Sequence, residues 1–193
     1  MDAGAKASDY LVRWSGQLLD AARLGPVLDV ACGDGRNGLY LAARGAGVLF
    51  VDISENALPN IRDLSPLEPV RFLQLDLEAS GPLPFEQDSY GAVLVFRYLH
   101  RPLLAPLRAC LAPGGMLVCE TFLKGQEAFG KPRNPLHLLK PGELADWFGD
   151  WEILDLFEGR LENPPRIMGR IACRRPAAQV AAGATAVASG PCS

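Results

Sequence analysis

The densest chemical signal in the chain is Val27-Leu28-Asp29-Val30-Ala31-Cys32-Gly33-Asp34-Gly35-Arg36-Asn37-Gly38. Gly33, Gly35 and Gly38 satisfy the spacing G-x-G-x-x-G, which between a strand and a helix marks a turn whose backbone can approach a cofactor closely. A dinucleotide would lay its pyrophosphate against the following helix N-terminus. Here Asp29 lies in the strand just before the turn and Asp34 lies inside it, so two carboxylates crowd the place of a diphosphate. The position suits a cationic group better than an anionic one. Two more carboxylates stand downstream, Asp52 closing "GVLFVD" and Asp76 closing "VRFLQLD". Either alone could merely cap the next turn. Together with the glycine turn they describe a cofactor cleft.

Carboxylates so far apart in sequence meet only if the elements that carry them run side by side and in the same direction. Leu11, Trp14, Leu18, Leu19 and Ala22 recur at helical spacing and predict an opening amphipathic helix. Short apolar runs follow at 27–31, 47–52, 70–76, 90–96 and from Met116. Helical patterns lie between them: one ending at Gly45, a short or irregular one from Ser54 interrupted by Pro59, and one from Pro102. Strands apolar on both faces alternating with helices predict an α/β fold: a Rossmann-like, doubly wound, mostly parallel sheet with helices on both faces. The pattern breaks after Phe122. Residues 123–139 read as a lid-like loop, and a helix restarts at Pro141. "WEILDLFEG" and "RIMGRIAC", joined by a turn-rich segment, predict a C-terminal antiparallel β-hairpin.

The chain has 193 residues, 49% of them hydrophobic, enough for one core. A single domain is expected over 1–175, with 176–193 as a low-complexity Ala/Gly/Ser tail expected to be disordered. A net charge of −3 disfavours a nucleic-acid partner. The longest apolar run falls short of a membrane span, and the N-terminus lacks the order of a signal peptide, which predicts a cytoplasmic protein away from membranes. The five cysteines are scattered without metal-ligand spacing, so neither disulfide nor metal is expected.

These residues resemble the class I S-adenosylmethionine-dependent methyltransferases, and within them the small bacterial enzymes similar to the tellurite-resistance methyltransferases. The resemblance runs from about Trp14 to Cys173. Asp29-Val30-Ala31-Cys32-Gly33-Asp34-Gly35 matches the family's first motif with Ala31 in place of its first glycine, and "LAPGGMLVCETF" matches the L-x-P-G-G approach to its fifth strand. The resemblance implies S-adenosylmethionine as cofactor. It implies a backbone cradle at Ala31, Gly33 and Gly35 and a role for Asp29 toward the methionine end. Asp52 would hold the ribose hydroxyls and Asp76, with Leu77 beside it, the adenine; Asn37 and Ile53 complete the expected cofactor set. Gly91 occupies the place of the usual Asp before the fourth strand and is taken as structural. "FRYLHRPLL" lacks the Asn-Pro-Pro-Tyr signature of enzymes that methylate bases or glutamine.

Methyl transfer from a sulfonium is an in-line displacement that chiefly needs nucleophile and methyl brought together without water. A hydroxyl or protonated amine acceptor also needs a proton acceptor, for which His100 and Tyr98, after the fourth strand, are the candidates. Arg97 beside them and Arg133 in the lid-like loop are candidate substrate contacts; Lys124 and Lys131 in the same loop would favour an anionic acceptor. The expected partner is a small molecule. A cofactor-binding domain without turnover and a nicotinamide-dependent oxidoreductase are the alternative readings, the latter opposed by Asp29 and Asp34.

Overall fold

The computed structural model describes residues 6–57, 59, 61 and 70–177. Val27–Val30 (β1), Val48–Asp52 (β2), Val70–Gln74 (β3), Tyr90–Phe96 (β4), Leu111–Phe122 (β5), Glu152–Glu162 (β6) and Pro165–Arg174 (β7) form one sheet. The order is β3-β2-β1-β4-β5-β7-β6. Strands β1 to β5 pair in parallel. β7 runs antiparallel to both β5 and β6, as expected of the closing hairpin.

Every residue of β1 and β4 is buried, as a parallel strand covered on both faces demands. Alternate side chains feed two cores. Leu28, Val30, Val93, Val95 and Leu117 face one side, and there they meet Leu107 of a helix at Leu104–Cys110 (α4) and Phe148 of one at Glu143–Phe148 (α5). Val27, Val48, Phe50, Leu94, Phe96 and Val118 face the other, against Asp9–Arg13 (α1), Ser15–Ala21 (α2) and Arg36–Ala42 (α3). The opening helix is therefore two short ones. Ser8 caps the first by accepting from the Tyr10 N–H, and the break falls at the buried Trp14.

Other differences from the sequence reading are local. The helix expected from Ser54 is a single 3₁₀ turn at Glu55–Ala57, and apart from Pro59 and Ile61 its remainder lies outside the described residues. The helix expected from Pro102 starts with a 3₁₀ turn at Arg101–Leu103 before becoming α4. β5 begins at Leu111 rather than Met116, and its pairing with β4 shifts register where Ala112-Pro113-Gly114-Gly115 bulges out. Of the low-complexity tail, residues 178–193 lie outside the described residues.

Gly91 has a physical reason for replacing a larger residue. A Cβ there would stand 2.1 Å from the Ala21 carbonyl oxygen and 2.6 Å from that of Gly25. The end of α2 lies directly on β4, and only a glycine admits that approach.

Strand order reverses between β1 and β4, since β2 and β3 lie to one side and β5 to the other. A ligand crevice in such a sheet opens at that switch point, at the C-terminal ends of the strands. The glycine turn after β1 and the segment after β4 both emerge there.

Candidate functional site

β1 delivers the chain into a turn that rises through left-handed conformations at Ala31 (φ 51°), Gly33 (φ 59°) and Gly35 (φ 78°). The two glycines take these angles freely, whereas Ala31 does so at a cost of about 1 kcal/mol. Two carboxylates hold the turn. Asp52, at the end of β2, accepts from the Gly33 N–H through Oδ2 (2.8 Å) and from the Ser54 N–H through Oδ1 (2.9 Å). Asp29 accepts from the Gly38 N–H in the first turn of α3 (2.8 Å). A Cβ on Gly38 would lie 2.4 Å from the ring of Phe50 and 2.8 Å from Asp29 Oδ2. The third glycine of the motif thus serves the contact between α3 and the sheet.

Asp29 is only 2% exposed. Burial pushes its carboxyl up to about 7, and the negative charges of Asp34 and Asp52 push the same way against the stabilising Gly38 N–H. Burial and the same carboxylates raise the Cys32 thiol. Three acids therefore converge on the turn.

The remaining cofactor candidates divide. Ile53, next to Asp52, is 63% exposed, an apolar side chain standing free beside the turn. Asp76 lies beyond β3, exposed, and accepts from the Glu78 N–H (2.9 Å), while Leu77 beside it is buried. Asn37 is turned away. Its buried side chain accepts from the Ser8 N–H (3.0 Å) and so fastens α3 to the N-terminal segment.

Across the switch point, a cleft of about 550 Å³ opens between the segment after β4 and the 123–139 loop, lined by Glu78, Arg97, Tyr98, Leu99, Phe122, Lys131, Pro132 and His137. It brings together Arg97 and Tyr98 of the sequence-derived candidates. Burial and the Glu78 carboxylate hold the Tyr98 phenol well above its ordinary range, and its O–H donates to Glu78 Oε1 (3.3 Å). His100 lines a different space, an apolar cavity of about 50 Å³ shared with Trp147 and Phe148 under α4 and α5. The histidine of the cleft is His137, in the 123–139 loop. Arg133 is exposed and does not line the cleft. Cys110 and Cys119 are buried and pushed up to about 12, chiefly by desolvation, which leaves both thiols protonated and unreactive.

The lid-like loop is strapped at both ends. Leu123 and Leu139 bridge each other. The buried Gln126 accepts from the Ile167 N–H (2.8 Å) and donates to the Lys131 carbonyl (3.2 Å). Arg101 donates to both oxygens of Glu143 (2.7 and 2.9 Å) and to the carbonyls of Leu136 and Leu138.

One polar group at this edge escaped sequence reasoning. Glu120, 2% exposed in β5, pairs with Arg170 of β7 (2.6 Å) and accepts from Ser8 Oγ (3.3 Å). Arg170 lies over the ring of Tyr10, whose hydroxyl donates to Asp155 in β6 (3.0 Å). The signal was present: Glu120 is the one charge within "MLVCETF".

Comparison with known proteins gives the geometry a family. Residues 27–115 match the model of a family described as a methyltransferase domain. The chain is 30% identical over 138 residues to hemagglutinin 1 of Eikenella corrodens, covering 66% of this chain and 44% of that protein, so it spans less than half of that relative's length. It is 32% identical over 170 residues to the ubiquinone biosynthesis O-methyltransferase of Xanthomonas oryzae pv. oryzae (strain PXO99A), covering 77% of this chain and 71% of that protein. Among solved structures, TehB from Haemophilus influenzae superposes with a TM-score of 0.62 at 23% identity, over 83% of this chain and 62% of that one, a likeness of fold. The sheet, its glycine turn, the acids around it and the two-thirds coverage of an O-methyltransferase together make the chain a member of the class I S-adenosylmethionine-dependent methyltransferases.

Proposed function

We propose that the chain catalyses transfer of a methyl group from S-adenosylmethionine to a small-molecule acceptor by in-line displacement, at the switch point between β1 and β4. The observation that carries this reading is the acidic cradle. Asp29, Asp34 and Asp52 surround a turn in which a Cβ on Gly33 would stand in open space, with no heavy atom within 4 Å. Such a surface lets a ligand approach the backbone, repels a pyrophosphate and favours a cation. When bound, the cofactor supplies a methyl group already activated on a sulfonium.

The chain's own residues then bind and orient. Each Asp52 oxygen keeps a lone pair beyond its present backbone bond, enough to accept from the ribose hydroxyls. Ile53 offers an apolar face to the adenine, and Asp76 and Leu77 flank it. Ala31, Gly33 and Gly35 provide the backbone cradle. Asp29 and Asn37 act from behind it, by fixing the start of α3.

On the acceptor side, Leu99, Phe122 and Pro132 exclude water from the reacting atoms. The raised Tyr98 phenol stays protonated and serves as a donor. A hydroxyl acceptor would release its proton to His137 or Glu78, which face the cleft, in preference to His100, which faces apolar side chains. No helix among the described residues is long and apolar enough to cross a membrane, and the acceptor is proposed to be met in the cytoplasm.

Thermal unfolding with S-adenosylhomocysteine and with NAD tests the reading. At about 100 times its dissociation constant a ligand adds about 2.7 kcal/mol, a rise of about 5–10 °C for a chain of this size. S-Adenosylhomocysteine should produce the rise and NAD should not, and the reverse result would overturn the proposal. Production of S-adenosylhomocysteine with a panel of small acceptors separates turnover from binding alone.

A further inference from the structure

We infer that the cleft between the end of β4 and the 123–139 loop is built for an acceptor with an anionic group on a flat apolar body, the anion being held by Arg97 and Lys131. The inference rests on the methyltransferase reading above and names the substrate class of the same site.

Arg97 is held where the chain would not put it by itself. It is a non-glycine residue at φ 56°, pinned there because its N–H donates to the Glu120 carbonyl (2.7 Å). That carbonyl belongs to the residue whose side chain is locked by Arg170, so the geometry at Arg97 is set by the sheet rather than by its own preference. The residue held by this strained step lines the cleft together with the loop's Lys131 and His137.

Several other arginines of the molecule are paired with acids. Arg101 meets Glu143, Arg108 meets Asp150, Arg170 meets Glu120 and Arg175 meets Asp88. Among the described residues Arg97 and Lys131 form no ion pair, as is also true of Arg44, Arg71, Arg133 and Arg166, but these two line the cleft. The cleft's own acid, Glu78, accepts from Tyr98 and leaves the positive groups in excess. Desolvation, then the charge of Arg36, lowers the affinity of the Arg97 guanidinium for its proton; Glu120 opposes this, Arg166 adds to it and Asp34 opposes it. The Arg166 Nε is itself buried without an acceptor among the described residues. A carboxylate or phosphate would relieve this excess, and a guanidinium matches such a group bidentately. Leu99, Phe122 and Pro132 supply the apolar walls for the body that carries it.

The test uses the full chain saturated with S-adenosylhomocysteine and two matched probes, 3,4-dihydroxybenzoate and its neutral carboxamide, titrated calorimetrically. The carboxylate should bind at least about tenfold more tightly, as one charge-assisted bidentate contact provides, and added salt should erode the difference. Arg97→Gln should abolish the preference and Lys131→Gln should reduce it, with the carboxamide affinity unchanged. Equal affinities, binding of neither probe, or a preference that survives both substitutions would overturn the inference. If Arg97→Gln fails to fold, Lys131→Gln on the exposed loop decides alone. The preceding titration with S-adenosylhomocysteine keeps the two readings apart. Its failure on the unsubstituted chain counts against the cofactor assignment, whereas success there with failure of the probes counts against the anionic acceptor only.

Discussion

On the β1–β2 side of the cleft, Asp29 meets Gly38 nine residues away and Asp52 meets Gly33 nineteen away. On the β4–β5 side, Gln126 reaches Ile167 across 41 residues, Arg101 reaches Glu143 across 42, and Glu120 reaches Arg170 across 50. The half proposed for the cofactor is a local device in which carboxylates at strand ends bond the backbone of one glycine-rich turn. The half proposed for the acceptor is assembled from separate parts of the chain, through long side chains and a strapped loop. Local construction ties the first half to one short motif. Distributed construction lets the second half change its chemistry without disturbing the first.

The strongest way to break the comparison is Gly38→Ala. Its Cβ would overlap the fully buried ring of Phe50 and the Asp29 carboxylate, so the local device and the core fail together. We expect a loss of about 3 kcal/mol, read as a melting temperature lower by about 6–12 °C, with S-adenosylhomocysteine affinity lost as well.

Asp52→Ala sharpens it. Removing an acceptor of charge-assisted bonds from a partly desolvated cleft costs about 1.5–3 kcal/mol of binding, a roughly ten- to 150-fold weaker S-adenosylhomocysteine by calorimetry. The Gly33 and Ser54 N–H groups also lose their acceptor, so the unliganded protein should melt lower too. A lower melting temperature with unchanged affinity would leave Asp52 as a mere brace of the turn. Asp52→Asn, which keeps one oxygen, should lose less on both counts.

Arg101→Ala addresses the other half. It strips four hydrogen bonds from Glu143 and the end of the loop, and we expect about 2 kcal/mol of lost stability. The kinetic signature should be a raised KM for the acceptor with S-adenosylhomocysteine affinity near that of the unsubstituted chain. Equal losses for both ligands would show that the halves are mechanically coupled.

Ala31→Gly should have the smallest effect. Relief of the left-handed strain at φ 51° offsets the greater backbone freedom of glycine in the unfolded chain, so chemical denaturation should show a change of at most about 1 kcal/mol, on the stabilising side.

The same division governs what the sequence makes legible. Asp29, Gly33, Gly35, Asp52 and Asp76 stand out in the sequence because each lies in or next to the turn that follows an apolar run, and the structure puts them at or just beyond the ends of parallel strands. The alternation of apolar runs likewise revealed the mostly parallel sheet and its antiparallel end. The Glu120–Arg170 pair, the Arg101 strap and the facing of His137 depend on which strands become neighbours across β5 and β7, and no periodicity carries that. The motif's spacing makes Asn37 a cofactor contact, yet its amide oxygen accepts from the Ser8 N–H. His100 was read from its distance after β4, but the chain turns there and directs it among Leu103, Trp147 and Phe148. Gly91 was noted only as a departure, and its cause lies in the carbonyl of Ala21, seventy positions earlier.

The buried Asp29, half protonated near pH 7, makes association with a cationic ligand a proton-exchange reaction. Positive charge entering beside the turn stabilises the ionised carboxylate, so the complex holds fewer protons than the free protein. At pH 7 up to about half a proton should leave per ligand bound. Titrations of S-adenosylmethionine in two buffers of different ionisation enthalpy should therefore report different heats at the same affinity. The affinity itself should climb with pH and level off once the free carboxyl is ionised. Asp29→Asn, which keeps an oxygen for the Gly38 N–H, should make the heats coincide and flatten the profile.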